Sequence, residues 1–224
     1  MSVLVAIPYR TETDRRLVDR SRELAQNLTY PDIEIAHHCN NYGYSSDYSS
    51  NAKARNETIE QWLRDCHTDV LWIDVDVIDY PKDLVELLLA HRERTGAAIV
   101  APMNVVKRPD LDHDIWYDTY FEQDGKTCNN LPIPPFDAER DLECCGMCVL
   151  MPADNFRRGS RFAPHTTRMS VGSWTRHGLT FDRVEDEFYS VMEWARAHGQ
   201  RIRCCTGATV RHAWLPDYGM DWKI

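Results

Sequence analysis

The sequence has no long hydrophobic run. None of its apolar stretches approaches the roughly 18 residues that a membrane-spanning helix needs. The opening MSVLVAIPYR also lacks a basic leader and a long apolar segment, so it does not resemble a signal peptide. We therefore expect no membrane span and, in the absence of a targeting signal, a cytoplasmic setting.

The sequence also has fewer basic than acidic residues. Lys and Arg number 26 against 35 Asp and Glu, which gives a formal net charge of −9. This balance argues against a broad electrostatic interaction with nucleic acid. A local basic groove stays open, because arginines concentrate in the segments NFRRGSRF and RTETDRRLVDRSR.

The eight cysteines lack the spacing of a complete thiolate metal site. Cysteines in a chain without a leader are typical of reduced thiols rather than of a disulfide framework. The densest segment contains Cys144, Cys145 and Cys148, but the second cysteine pair of a zinc or iron–sulfur site is missing. We favour buried thiols on a strand and keep a thiolate-metal protein as an alternative.

The first hundred residues alternate between strand and helix patterns. Ser50 or Asn51 is expected to cap the second helix, while Pro81 lies in the first turn of the third helix and Gly96 at its end. The alternation indicates a parallel sheet covered on both faces, with ligands outside the carboxyl ends of its strands. The pattern predicts strands over 3–8, 33–38, 70–77 and 97–103, and helices over 14–28, 52–66 and 82–94.

The character of the sequence changes after Pro109. Aromatic residues and prolines predict hairpins there, and no repeat or linker divides the chain. We predict one domain over 1–224, with an earlier half over about 1–108 and a later half over about 109–224. The later elements would be a strand over 145–151, a long loop over 157–174, a helix over 185–199 and a strand over 208–212.

Two aspartates interrupt the apolar run TDVLWIDVDVIDYPKDL. Asp74 and Asp76 are two residues apart, so on a strand their side chains would face the same way. Two carboxylates on one face repel unless a proton or a cation lies between them. Oxygen ligands favour Mg²⁺ or Mn²⁺, and Mg²⁺ usually combines carboxylates with phosphate oxygens, which points to a diphosphate ligand. The alternative is that Asp74 caps a turn and that Asp76 is solvated.

Three segments resemble, in order, those of the GT-A glycosyltransferases. They are ARNETIEQWLRDCHTDVLWIDVDV, VEDEFYSVMEWARAHGQRI and VRH, which ends at His212. The resemblance implies an α/β fold of the GT-A (Rossmann-like) kind, a mostly parallel sheet flanked by helices with a smaller antiparallel acceptor-side portion. It also implies that the earlier half binds a nucleotide sugar and that the later half carries the acceptor and catalytic groups.

The resemblance implies the residues of a donor site. Asp74 and Asp76 would bind Mn²⁺ or Mg²⁺ and the donor diphosphate, with Asp76 the more direct ligand. His212 would be a third metal ligand, for which a satisfied histidine at a strand end is the alternative. A solvated helix charge is the alternative for Arg55. The nucleotide contacts would come from Pro8, Tyr9, Arg10, Arg55 and Asn56.

The resemblance also places a catalytic carboxylate just before the last helix. Asp186 is the leading candidate for the base that deprotonates the acceptor and Glu185 the second, although the helix dipole alone favours acids there. Glu143 would contact the acceptor or the sugar, and Trp116 and Trp174 would be stacking platforms for a glycan or protein. A DNA acceptor would instead need a basic strip. Its arginines would be Arg157, Arg158, Arg161 and Arg168.

The sequence therefore predicts a metal-dependent glycosyltransferase that uses a nucleoside-diphosphate sugar, with UDP favoured as the carrier and inversion favoured over retention. The chain is similar to small bacterial or viral members, and a viral member would act in the host cytoplasm. The acceptor would be a glycan, a glycoprotein or a hydroxymethylated pyrimidine in phage DNA. We interpret the loop over 157–174 as a lid over the donor, with a surface loop as the alternative.

Two other functions remain as alternatives. A nucleotidyltransferase would also use a metal on such a sheet, but the segment IPYRTETDRR lacks the glycine-rich loop expected after its first strand. A non-catalytic nucleotide- or glycan-binding module of the same fold is the second alternative. The sequence leaves the oligomeric state open.

Overall fold

The structure is a computed structural model of the whole chain, and it describes a defined set of residues. The described ranges are 1–42, 49–107, 114–116, 119–123, 126–128, 141–163, 166–167, 184–185 and 187–213. No helix within these ranges is long and apolar enough to cross a membrane.

Five helices and thirteen strands occur in the described ranges. The helices are α1 (Arg15–Gln26), α2 (Ser49–Trp62), α3 (Leu84–Thr95), α4 (Ala153–Arg157) and α5 (Phe188–Ala197). The strands are β1 (Ser2–Arg10), β2 (Ile33–Asn40), β3 (His67–Ile73), β4 (Val77–Asp79), β5 (Ile99–Lys107), β6 (Asp114–Trp116), β7 (Thr119–Gln123), β8 (Lys126–Cys128), β9 (Cys144–Cys145), β10 (Cys148–Pro152), β11 (Thr166–Thr167), β12 (Val184–Glu185) and β13 (Ile202–His212).

One eight-stranded sheet organises the chain. Its strand order is β2-β1-β3-β10-β5-β13-β4, and β6 pairs with β5 off this path. Strands β1, β2, β3, β5 and β13 all run in the same direction, while β10 and β4 run against them. Two small antiparallel ladders, β8-β7-β9 and β11-β12, lie outside this sheet. The α/β class and the mostly parallel sheet predicted from the sequence are confirmed.

Apolar residues cover both faces of this sheet. Successive residues of a strand point to opposite faces, and in β3 the neighbours Leu71 and Trp72 belong to different core clusters. The cluster around Trp72 includes Phe156 on α4 and Phe188 on α5. The cluster around Leu71 includes Leu84 and other residues of α3. Helices on both faces therefore shield the central strands from water.

The helix ends follow local capping chemistry. Asp14 caps α1 by accepting a hydrogen bond from the amide of Arg16 at 2.9 Å. Gly96 ends α3 in the left-handed conformation with φ +66°, as the sequence predicted. The predicted cap of α2 is wrong, because that helix begins at Ser49 and Ser50 is buried inside its first turn. Pro81 precedes α3 instead of lying in its first turn.

Two predicted strands are interrupted by turns. β3 ends at Ile73, so Asp74 and Asp76 do not lie on one continuous strand with their side chains facing the same way. They lie in a turn that leads into β4, closed by a 3.0 Å hydrogen bond from the amide of Val77 to the carbonyl of Asp74. The predicted strand over 145–151 is divided into β9 and β10, because Met147 has a left-handed φ of 53°.

Candidate active site

Three of the predicted metal-site residues meet at one edge of the sheet. Since β1, β3, β5 and β13 are parallel, their carboxyl ends share that edge. Asp74 and Asp76 follow β3, and His212 is the last residue of β13. The backbone amide of Ala213 donates a 2.8 Å hydrogen bond to the carbonyl of Asp76, which fixes the end of β13 against the turn.

Asp76 and His212 form a direct pair at this edge. Nε2 of His212 lies 3.1 Å from Oδ2 of Asp76. Burial disfavours the charged imidazole, but the Asp76 carboxylate outweighs it and raises the pKa of His212 to about 9. Burial likewise favours the neutral acid of Asp76, yet the charge and hydrogen bond of His212 hold the pKa of that carboxyl below its usual value.

Asp74 has a different partner. Nη2 of Arg55 donates a 2.6 Å hydrogen bond to its Oδ1, while Nε of the same arginine donates a 2.8 Å hydrogen bond to Oε1 of Glu187. Burial opposes the charge on the guanidinium, but these two carboxylates raise the pKa of Arg55 above its usual value. Burial also raises the pKa of Asp74, which Arg55 offsets only in part.

Aromatic rings enclose the Arg55 guanidinium. Its central carbon lies 5.5 Å from the ring centre of Trp72, 5.7 Å from that of Phe162 and 4.3 Å from that of Phe188. These are cation–π distances, and the rings exclude water from the arginine. Phe162 is held there by Asn56, whose side chain donates to its carbonyl at 2.8 Å and accepts from its amide at 3.0 Å.

These contacts give Arg55 and Asn56 internal partners. The resemblance implied that Arg55 reaches a diphosphate or a base, whereas its guanidinium binds two carboxylates and the residue is only 5% exposed. The alternative of a solvated helix charge is wrong for the same reason. Asn56 holds the backbone of Phe162, so it anchors the start of the loop interpreted as a lid. Beyond Ala163, that loop is described only at 166–167.

The turn between β9 and β10 supports the Asp74 side of the site. The carbonyl of Met147 accepts a 2.6 Å hydrogen bond from the amide of Asp74. Nδ2 of Asn104 donates a 3.1 Å hydrogen bond to the carbonyl of Gly146. Burial, followed by the charge of Asp74, raises the pKa of the Cys148 thiol above its usual range. Cys144, Cys145 and Cys148 are all buried, as the sequence predicted.

The predicted nucleotide residues of β1 lie at the same edge of the sheet. Pro8 and Tyr9 pair with His38 and Cys39 of β2. The Tyr9 carbonyl accepts a 2.7 Å hydrogen bond from Nδ2 of Asn40. The Tyr9 ring is tilted against the ring of His37, with the ring centres 6.3 Å apart.

Arg10 ends β1 and points toward the first turn of α2. Its Nη2 donates to Oδ1 of Asn51, and its amide donates to the Thr13 hydroxyl at 3.0 Å. β1 and α2 are therefore joined at the carboxyl edge of the sheet.

The predicted acids are only partly described. Glu185 lies on β12, which pairs with β11, but neither its side chain nor that of Trp116 on β6 is described. Asp186 and Trp174 lie outside the described residues. Glu143 precedes β9, and its carbonyl accepts a hydrogen bond from Arg196 of α5.

Sequence reasoning missed Glu187. The residue is 4% exposed and binds Arg55, although it was only one of three neighbouring acids in the sequence. Its position before the apolar start of α5 was the single available signal, because its partner lies 132 residues away.

The arginines of the predicted basic strip make internal contacts where they are described. Nη2 of Arg157 donates to the carbonyls of Arg64 and His67 at 2.7 and 2.8 Å. Arg161 donates to the carbonyls of Phe156 and Ser160. Arg158 lies over the ring of Trp194. Arg168 lies outside the described residues. The guanidinium groups of Arg157 and Arg161 thus donate hydrogen bonds to backbone carbonyls.

The Asp76–His212 pair offers donor atoms that suit a metal ion. Oδ1 of Asp76 is buried and has no hydrogen-bond partner in the described part of the chain. A buried carboxylate oxygen without a partner is costly, and a cation would compensate it. No cluster of three or more His, Cys, Asp or Glu side chains suited to a metal occurs among the described residues. The Asp76 carboxylate fits Mn²⁺ or Mg²⁺ by donor chemistry, and His212 fits once its imidazole releases the proton that Asp76 stabilises, with further ligands to come from substrate or water.

Comparison with known proteins gives likenesses among solved structures but no sequence match. No protein-family profile matches the chain, and no curated protein matches it. Among solved structures, the chain is similar to a crystal structure of GalNAc-T7 with UDP, GalNAc and Mn²⁺. The TM-score is 0.55 at 10% sequence identity, and the likeness covers 96% of this chain but 44% of that one. The chain therefore spans less than half of that protein's length, and the likeness shows the fold alone. That fold is a mixed α/β, Rossmann-like and GT-A-like domain.

Proposed function

We propose that this protein is a metal-dependent glycosyltransferase that moves a sugar from a nucleoside-diphosphate sugar to an acceptor hydroxyl. The observation that carries the proposal is the buried Oδ1 of Asp76, which lies beside His212 at the carboxyl edge of the sheet and has no hydrogen-bond partner among the described residues. The structurally similar GalNAc-T7 was crystallised with UDP, GalNAc and Mn²⁺, which supports a UDP-sugar as donor. We also propose that the protein acts in the cytoplasm.

Asp76 and His212 would hold the cation, with Mn²⁺ or Mg²⁺ as the ion. When bound, it would neutralise charge on the diphosphate leaving group. Asp74 would keep its hydrogen bond to Arg55 on the donor side of the turn. Tyr9 and Arg10, at the carboxyl end of β1, would meet the nucleotide.

The acceptor hydroxyl must lose a proton during the transfer. Asp186 is the proposed base and Glu185 the second candidate, because they are the two residues before Glu187, which Arg55 holds at the start of α5. Inversion is the proposed stereochemistry. Glu143, Trp116 and Trp174 are the proposed acceptor contacts. We favour a glycan or protein acceptor over modified DNA, because Arg157 and Arg161 already bind backbone carbonyls.

The test is the melting temperature with UDP, GDP, CDP and TDP, each with Mn²⁺ and again with EDTA. We expect one diphosphate, UDP first, to stabilise the protein in the presence of Mn²⁺ only. Asp76→Ala and Asp76→Asn should abolish that shift, since either change removes a ligand carboxylate.

Asp65→Ala is the matched control, because Asp65 is exposed and lies just before the amino end of β3, away from the carboxyl edge. The control should keep the full Mn²⁺-dependent shift. The proposal fails if none of the four diphosphates stabilises the wild-type protein with Mn²⁺, or if the Asp76 variants keep the shift.

A further inference from the structure

Arg55 joins two parts of the site that are distant in sequence. Its partners Asp74 and Glu187 lie 19 and 132 residues away along the chain. The first belongs to the turn after β3, and the second directly precedes α5. One side chain on α2 therefore fixes the position of the donor-side turn relative to the start of the last helix.

The guanidinium is suited to this double contact. Its Nε and Nη2 point to different carboxylates at 2.8 and 2.6 Å, so the planar group acts as a rigid fork. A lysine ammonium has one nitrogen on a flexible stem, and it does not reproduce the fork. The rings of Trp72 and Phe188 hold the guanidinium plane in place.

Stability alone is a poor explanation for this arrangement. Moving a charged set out of water costs free energy, and apolar replacements of such sets are often neutral or stabilising. Nη1 of Arg55 is also buried with no hydrogen-bond partner in the described residues, which is a further cost. The two carboxylates differ in burial: the Glu187 side chain is 5% exposed and the Asp74 side chain 27%. Asp74 is therefore the carboxylate that still opens toward a ligand.

We infer that Arg55 is a positioning residue, which orients Asp74 in the turn that carries Asp76 and ties that turn to the start of α5. Its two ion pairs, with Asp74 and Glu187, are internal to the protein. The inference rests on the proposed function only for its ligand-binding consequence. The coupling between the turn and α5 is a property of the protein alone.

The test compares wild type with Arg55→Lys, Arg55→Met and the double variant Arg55→Met/Glu187→Leu. Arg55→Met leaves Glu187 buried without a cation, so we expect a large loss of melting temperature. The double variant removes that buried charge and leaves Asp74 open to solvent, so much of the melting temperature should return. The double variant thereby separates the effect of Arg55 on stability from its effect on the position of the turn.

The direct readout is amide hydrogen exchange without any ligand. In Arg55→Lys and in the double variant, exchange should quicken at 74–77 and 187–190, while the β1–β2 ladder keeps its wild-type rates. The second readout is the affinity for Mn²⁺ with UDP, which should fall about 10–100-fold in both variants, as for other residues that orient metal ligands.

If amide exchange at 74–77 and at 187–190 in the folded double variant equals that of wild type, the inference is overturned, regardless of the result for nucleotide binding. Wild-type affinity for Mn²⁺ and UDP in that variant would also overturn it. If wild type binds no diphosphate but exchange at both 74–77 and 187–190 is faster in Arg55→Lys and in the double variant, the proposed function fails and the coupling through Arg55 stands.

Discussion

At the residue scale, several buried polar side chains of this protein have a charged partner. Asp69, which is 1% exposed, binds Arg92 of α3, and Arg55 binds two carboxylates. His37 on β2 differs from them. Both of its ring nitrogens are buried with no hydrogen-bond partner in the described part of the chain. Protonation of that ring is therefore unfavourable in the folded state.

His37 should make the stability depend on pH. Burial, and then the charge of Arg22, lowers the pKa of His37 from 6.5 to about 4. Between those values the unfolded chain binds a proton that the folded chain does not, so stability falls as pH drops from about 6.5 to about 4. In His37→Gln this contribution is absent. Urea unfolding at pH 7.5, 6 and 5 should show a smaller loss in the variant than in wild type. Equal pH dependence of the two proteins would contradict the prediction.

At the scale of elements, Gly96 allows α3 to end and the chain to enter β5. Its φ is +66°, and a Cβ built there would meet nothing within 4 Å. The penalty for Gly96→Ala is therefore backbone strain alone, and we expect a loss of about 1 kcal/mol in the free energy of unfolding. Chemical denaturation measures it.

Gly207→Ala on β13 is the matched control for this prediction. Gly207 has equal space for a Cβ but no left-handed φ. The control should change the free energy of unfolding by less than Gly96→Ala does. A loss of the same size in both variants would show that strain at Gly96 is not the cause.

At the scale of the whole molecule, one sheet joins two apolar layers. Leu71 and Ile99 are fully buried in different clusters, yet both lie on central strands of the same sheet. We expect Leu71→Ala and Ile99→Ala each to cost about 2–5 kcal/mol in the free energy of unfolding. Each variant should still unfold in a single transition, since the layers share their strands.

The measurement is urea unfolding followed by circular dichroism and by tryptophan fluorescence. Coincident curves would support one cooperative unit. Tyr42→Ala, at an exposed position, should shift the midpoint by less than either core variant. Two separate transitions in Leu71→Ala would show that the layers unfold independently.

The sequence by itself determined the α/β class and the early elements of the chain. Apolar runs and helical spacing located β1, β2, α1 and α3 to within a few residues, because these signals depend on neighbouring residues and on burial. The same signals could not show that β3 ends at Ile73, since Asp74 is drawn into a turn by Met147, which belongs to a distant segment. They also missed the left-handed Met147 that separates β9 from β10.

Only the tertiary structure decided the partners within the site. The resemblance implied that Asp74, Asp76 and His212 belong together, and the parallel strands β3 and β13 bring them to one edge of the sheet. It could not show that Asp76 pairs with His212 while Asp74 pairs with Arg55, nor that Glu187 completes the buried set. Such pairings join residues up to 136 positions apart, as for Asp76 and His212 (212 − 76), and they depend on strand order and helix packing. Local sequence carries no information about either.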